Sequence, residues 1–147
     1  MTEVWKDIPG YEGLYQASTS GSIRSLDRVY ECVSPLGRSY TQIRRGKVML
    51  PSVNFDGYLN IQLTKDSKSK TLFVHRLVAM TFILNPENKP QINHKDKNRQ
   101  NNEISNLEWV TQSENMQHAV CTGALLGGNR GKHLSEATKQ KLYQARK

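Results

Sequence analysis

Gln91-Ile92-Asn93-His94-Lys95-Asp96 is followed by Asn101-Asn102, then Asn106-Leu107-Glu108-Trp109-Val110-Thr111, then Glu114-Asn115-Met116-Gln117-His118. The first segment reads as a short strand carrying a histidine. A polar loop rich in Asn returns the chain to a second strand through Leu107, Trp109 and Val110. Thr111 and Glu114 stand at the spacing of a capping box, in which a hydroxyl and a carboxylate satisfy backbone N–H groups at a helix start. The predicted unit is strand, loop, strand, helix, with its polar side chains converging.

Working outward, the chain has 147 residues and a formal net charge of +8. That length allows one domain with a modest core, or a small catalytic domain with short appendages, and an aromatic content of 7% favours the second. The excess of cations points to a polyanionic partner, because clustered Lys and Arg displace condensed counterions from nucleic acid. A ribosomal or membrane-surface protein would share that charge balance. Cys32 and Cys121 form no C-x-x-C pair and supply no four-ligand site, so no structural zinc is expected. A disulfide between them is the weaker reading. With no charged leader ahead of an apolar run and no apolar stretch long enough to cross a bilayer, the expectation is a cytoplasmic protein without a membrane partner.

Near the N-terminus, Pro9-Gly10, Glu12-Gly13 and Ser20-Gly21 separate Val4-Trp5, Leu14-Tyr15 and Ser22-Ile23. This predicts small antiparallel strands, with Trp5, Tyr11 and Tyr15 as a mini-core. Residues 27–47 read as an irregular basic loop holding Arg28, Arg38, Arg44, Arg45 and Lys47, either solvated or on phosphate. Residues 57–64 alternate with period two, and Thr71-Leu72-Phe73-Val74 follows a Lys- and Ser-rich turn, which makes a hairpin. The spacing of Leu77, Val78, Met80, Thr81 and Phe82 then switches to a helix that Asn85-Pro86 stops. His75, at this switch, is read as structural. Beyond Gly123, a Gly-rich connection leads to a basic helix with Ser135 as its cap.

The order and spacing of His94, Asn106 and Asn115 resemble the HNH family of metal-dependent endonucleases. The resemblance implies an α+β fold: a small ββα-metal (His-Me finger) nuclease core with an N-terminal antiparallel β region and a C-terminal DNA-binding helix. Residues 3–26 resemble the DNA-binding motif that often precedes an HNH core in phage and intron-encoded nucleases, and residues 131–147 resemble another such motif. The implied division is 1–50 for the β-rich motif and basic loop, 51–122 for the nuclease core, and 123–147 for a linker and basic helix.

Phosphodiester hydrolysis needs a base for the attacking water and a cation against the phosphate and leaving oxygen. By the resemblance His94 is the base, Asn106 braces the loop and orients it, and Asn93 and Asn115 ligate the metal. Many relatives carry Asp or His where this chain has Asn93. A neutral amide attracts Mg²⁺ less strongly than a carboxylate, so weak metal affinity is expected. Asp96 and His118 are the compensating candidates; His118 lies about one turn beyond Asn115 on a similar face. The competing reading of Asp96, Asn98, Asn101 and Asn102 is turn chemistry, favoured here for the three Asn residues. Trp109 reads as hairpin core.

These expectations combine into an endonuclease that hydrolyses DNA to 5′-phosphate and 3′-hydroxyl ends with Mg²⁺ or Mn²⁺, as a nicking or homing enzyme. Its expected partner is double-stranded DNA, bound as a monomer rather than a dimer. The candidate DNA contacts are Arg24, Arg28, Arg44, Arg45, Lys47, Lys95, Lys97, Arg99, Arg130, Lys132, Lys139 and Lys141. The rival reading is an HNH-fold DNA-binding protein whose catalysis Asn93 has weakened. An RNA-binding protein is a weaker third reading, because no aromatic-rich sheet motif for stacking bases is evident.

Overall fold

The computed structural model describes residues 2–121. Met1–Gln112 forms one compact unit, and the described part of a second, from Ser113, is the remainder of a helix. The expected stop at Gly123, the basic helix capped by Ser135, and Arg130, Lys132, Lys139 and Lys141 lie outside the described residues.

Strands β1 (Trp5–Asp7), β2 (Tyr15–Ser18) and β3 (Ile23–Ser25) form an antiparallel sheet in that order. Their bounds follow the Gly-containing turns seen in the sequence. Tyr15 belongs to no separate mini-core. With Ile8, Ala17 and Ile23 it is buried in one cluster with Ile61, Leu63, Val74, Leu77, Val78 and Leu107. Its hydroxyl also accepts a hydrogen bond from the Thr64 amide at 3.0 Å, tying the first sheet to a later one.

Residues 27–47 are not an irregular loop. Strands β4 (Arg28–Val33) and β5 (Ser39–Arg44) pair in antiparallel register, with Val29 opposite Ile43 and Cys32 opposite Tyr40. Pro35 and Gly37 fall in the turn, where the Ser34 amide donates to the Arg38 carbonyl at 2.8 Å. The β-branched and aromatic residues suit a pleated ribbon. Both faces of the ribbon are largely exposed, so burial imposes no alternation of apolar and polar residues, and the sequence pattern that marks a strand is absent. Cys32 carries a free thiol.

The predicted hairpin is present as β7 (Leu59–Lys65) and β8 (Lys68–Phe73), and a short strand that the sequence did not mark, β6 (Ser52–Val53), pairs along β7. Asp66 and Ser67 both take positive φ, 50° and 59°, the backbone that a two-residue loop needs to match strand twist. Helix α1 (Val74–Phe82) begins directly after β8, three residues before the predicted Leu77. Val74, Leu77 and Val78 share one face, and full burial of each such side chain contributes about 2 kcal/mol. The helix ends before Asn85-Pro86, as proline restricts the residue ahead of it.

Helix α1 packs against β2, β7 and β10, and so lies beneath the last hairpin. That hairpin comprises β9 (Gln91–His94) and β10 (Leu107–Val110), with His94 opposite Leu107 and Asn93 opposite Glu108. A short 3-10 turn, Ile104–Asn106, leads into β10. Helix α2 (Gln112–Cys121) starts one residue after Thr111 with Glu114 in its first turn, at the place the capping box predicted. Strands in small antiparallel sheets with two helices make this an α+β fold. No described helix is long and apolar enough to cross a membrane.

Candidate active site

The loop between β9 and β10 is organised around Asn106. Its Oδ1 accepts from the Asp96 amide at 2.9 Å, while its Nδ2 donates to Asp96 Oδ1 at 2.9 Å and to the Asn101 carbonyl at 2.8 Å. The Lys95 amide adds a bond to the Asn106 carbonyl at 2.9 Å. One buried carboxamide thus fixes both ends of the loop, at either side of the hairpin mouth.

Asp96 serves the same loop. Its Oδ1 accepts from the Asn98 amide at 2.7 Å as well as from Asn106, and its Oδ2 accepts from Asn101 Nδ2 at 2.7 Å. These bonds, that from Asn101 foremost, hold its carboxyl below the usual Asp range. With both oxygens so engaged, Asp96 braces the turn. Asn98 and Asn101 accept from the Gln100 and Glu103 amides, the turn chemistry expected of them.

Asn102 departs from that reading. It is 3% exposed, and its Oδ1 lies 3.1 Å from Nε2 of His94. An amide oxygen can only accept, so in this contact Nε2 is the donor, and a ring with its hydrogen there presents a lone pair on Nδ1 when it is neutral. Sequence reasoning missed this residue because an Asn in an Asn-rich loop carries no mark that distinguishes an inward side chain from a turn-former.

His94 is buried and stands in an aromatic setting. The ring of His75 meets it edge-on with centroids 5.2 Å apart, and Tyr58 lies at 5.9 Å. His75 in turn stacks on Phe73 at 5.3 Å. Burial, the neighbouring His94 and then Arg76 lower the His75 pKa to about 4, so this second imidazole is neutral near pH 7. Its Nδ1 is buried without a hydrogen-bond partner. The structural reading of His75 therefore stands: it packs beneath the site.

Asn93 is 7% exposed and donates from Nδ2 to Glu108 Oε1 at 2.8 Å across the hairpin. With the amide hydrogen committed to Glu108, the donor left for a hard cation is the carbonyl-type Oδ1, an oxygen ligand of the kind Mg²⁺ or Mn²⁺ accepts. Glu108 was not singled out in the sequence; the alternation of Leu107, Glu108 and Trp109 and the hairpin register would have placed it opposite Asn93. Trp109 is half-buried and donates to the Ile83 carbonyl at 3.1 Å, holding the hairpin to the end of α1. On α2, Asn115 and His118 stand three residues apart, both half-buried. Among the described residues, no group of three or more His, Cys, Asp and Glu is arranged to hold a metal ion.

Several of the proposed DNA contacts are engaged within the protein. The Arg24 guanidinium lies 4.4 Å over the Trp5 ring and donates to Gln16, and that of Arg28 lies 4.4 Å over the Tyr15 ring and donates to the Leu14 carbonyl. Arg45 pairs with Asp27 at 3.0 Å on the surface. Arg44 and Lys47 are exposed near the base of the ribbon. Lys95, Lys97 and Arg99 are exposed around the hairpin loop, where Lys95 donates to the Ser105 carbonyl and Arg99 lies 4.9 Å over the Tyr58 ring.

The HNH endonuclease family matches residues 72–117, and the NUMOD4 motif matches residues 3–64. DNA endonuclease I-HmuI of Bacillus phage SP01 is 40% identical over 121 residues, covering 82% of this chain and 60% of that protein. An HNH endonuclease of Acanthamoeba polyphaga mimivirus is 45% identical over 86 residues, covering 58% of this chain and 26% of its own length. The chain therefore spans less than two thirds of these relatives. A solved structure of the HNH homing endonuclease I-HmuI, concerned with its DNA binding and cleavage, superposes with a TM-score of 0.65. Sequence identity in that superposition is 34%, covering 97% of this chain and 67% of the other. Agreement in sequence and in fold leads to one conclusion: the chain belongs to the HNH homing endonuclease family.

Proposed function

We propose that the chain hydrolyses DNA phosphodiester bonds with His94 as general base, as a site-specific nicking or homing endonuclease leaving 5′-phosphate and 3′-hydroxyl ends. The observation that carries this is the hydrogen bond of His94 Nε2 to Asn102, which leaves Nδ1 to accept a proton from the attacking water. Asn106 keeps the loop that presents His94 in one conformation. HNH endonucleases generally use a divalent metal, and in this reading Asn93 and Asn115 hold Mg²⁺ or Mn²⁺, with His118 as a further ligand. The assignment of Asn115 and His118 rests on sequence position. When bound, the cation supplies charge neutralisation at a non-bridging oxygen and the leaving 3′ oxygen. Asp96 acts as a brace.

In this reading the partner is double-stranded DNA, met by one monomer, and the setting is the cytoplasm of a bacterial host. Residues 1–50 form the β-rich binding segment and 51–122 the nuclease core, and 123–147, outside the described residues, supply the further basic segment read from the sequence. Arg44, Arg45, Lys47, Lys95, Lys97 and Arg99 contact phosphate, with Arg130, Lys132, Lys139 and Lys141 following the duplex. Arg24 and Arg28 support the first sheet from within. Phosphate contacts position the protein without reading sequence.

A second reading, a DNA-binding protein with weakened catalysis, is favoured by the neutral amide at Asn93. Cleavage of supercoiled plasmid by the wild type and His94→Ala, with Mg²⁺, Mn²⁺ or chelator, separates the two. Metal-dependent cutting that disappears with His94 supports the nuclease. Salt-sensitive DNA retention without cutting, on plasmid and on genomic DNA, supports the binding protein.

A further inference from the structure

The loop carrying Asn102 does not stand alone. The turn joining β2 to β3 lies directly against it: the Thr19 carbonyl accepts from the Ile104 amide at 3.1 Å. Ile104 opens the 3-10 turn that ends in Asn106. Gly21, at φ +88°, sits so close that a Cβ there would fall 2.8 Å from the carbonyl carbon and oxygen of Asn102 and 2.9 Å from its Cβ. Real side chains do not approach backbone that closely, so Gly21 is the residue that lets the two segments touch. The turn is itself fixed from within. Ser18, fully buried, accepts at its carbonyl from the Gly21 amide at 3.2 Å and at its Oγ from the Ser22 amide at 3.0 Å. Asn102 needs this outside support, because its Nδ2 is buried without a hydrogen-bond partner and its only described side-chain bond is to His94.

We propose that Asn102 is a positioning residue that fixes the His94 imidazole with Nδ1 toward the reacting water, and that the turn at residues 18–22 holds Asn102 in place. The N-terminal motif then acts on the chemistry as well as on DNA. The proposal rests on the reading of His94 as the base. An orienting partner of this kind acts by selecting one ring orientation and tautomer, so its loss lowers turnover without weakening DNA binding.

The test is ¹⁵N NMR of the histidine side chains in the full chain at mildly alkaline pH, together with steady-state cutting. The expected signature is a His94 proton on Nε2 that exchanges slowly with water. Asn102→Ala loses that protection and lowers kcat about 100-fold, with KM for DNA near the wild-type value. Asn102→Asp, whose carboxylate accepts from the same N–H, restores the protected proton. Gly21→Ala speeds its exchange and lowers kcat while the amide spectrum stays folded. If Gly21→Ala does not fold, Ser18→Ala loosens the turn without adding bulk and carries the same expectation in smaller measure. A proton found on Nδ1, or protection unchanged in Asn102→Ala, overturns the assignment of Asn102. Wild-type exchange and kcat in the turn variants overturn the role of the turn. Cutting that survives His94→Ala would instead remove the reading of the base and leave the imidazole result standing.

Discussion

Across the last hairpin, Asn93 Nδ2 donates to Glu108 Oε1 at 2.8 Å, and the two residues are also register partners. A carboxylate thus fixes which end of the Asn93 amide is available. Partners behind a metal ligand typically alter affinity by one to two orders of magnitude. Glu108→Ala should therefore raise the Mn²⁺ concentration for half-maximal cutting roughly tenfold, and Glu108→Gln less, because its amide oxygen can still accept. An unchanged metal titration in Glu108→Ala would remove Asn93 from the ligand set.

Asn93→Asp carries the opposite expectation. A carboxylate at this position attracts a hard cation more strongly than an amide oxygen. The variant should cut at lower metal concentration and faster at limiting metal. Its carboxylate would also face Glu108, so the double variant Asn93→Asp, Glu108→Gln should show the larger gain. Equal metal dependence in all three proteins would sink the idea.

Asn106 makes three side-chain hydrogen bonds from a buried position. Replacing it by Ala leaves the Asp96 amide and the Asn101 carbonyl unsatisfied by it, at a cost of about 3 kcal/mol by the usual worth of such bonds. Chemical unfolding should report that loss, and cutting should fall with it. A variant with wild-type stability would mean that the loop holds itself without its brace.

His75 predicts how stability responds to acid. Its folded-state pKa is lowered from 6.5 to about 4, chiefly by burial, so the folded protein resists a proton that the unfolded chain accepts. Its neutral burial costs nothing above pH 6.5, and stability is lost as pH falls from there through about 4. The drop between pH 7 and pH 5 should be about 2 kcal/mol by linkage. Urea unfolding at the two pH values measures it, and His75→Phe should remove most of that difference. A slope that persists in His75→Phe would place the acid sensitivity elsewhere.

Much of this was written in local chemistry. Gly-containing turns set the N-terminal strands, and the Thr111 and Glu114 spacing set the start of α2. The hairpin carrying His94 followed from a short apolar strand on either side of an Asn-rich loop. What escaped the sequence was either without a buried face or set by distant residues. The β4–β5 ribbon lacks a buried face, so no periodicity reports it. The inward turn of Asn102 depends on Gly21, 81 positions earlier in the chain. The guanidiniums of Arg24 and Arg28 read as phosphate contacts because only a folded neighbour, Trp5 or Tyr15, reveals the ring beneath each.

The shared core has a consequence for how such proteins can be rearranged. Ile8, Ala17 and Ile23 are buried in the same cluster as Ile61, Leu63, Leu77 and Val78. A recombination breakpoint between the two matched motifs would divide one apolar interior, leaving each half with an uncovered face. Chimaeras of this family should therefore be soluble when the donor segment brings a matching set of apolar side chains. Cassettes exchanged by binding specificity alone would fail at folding before their specificity could be read.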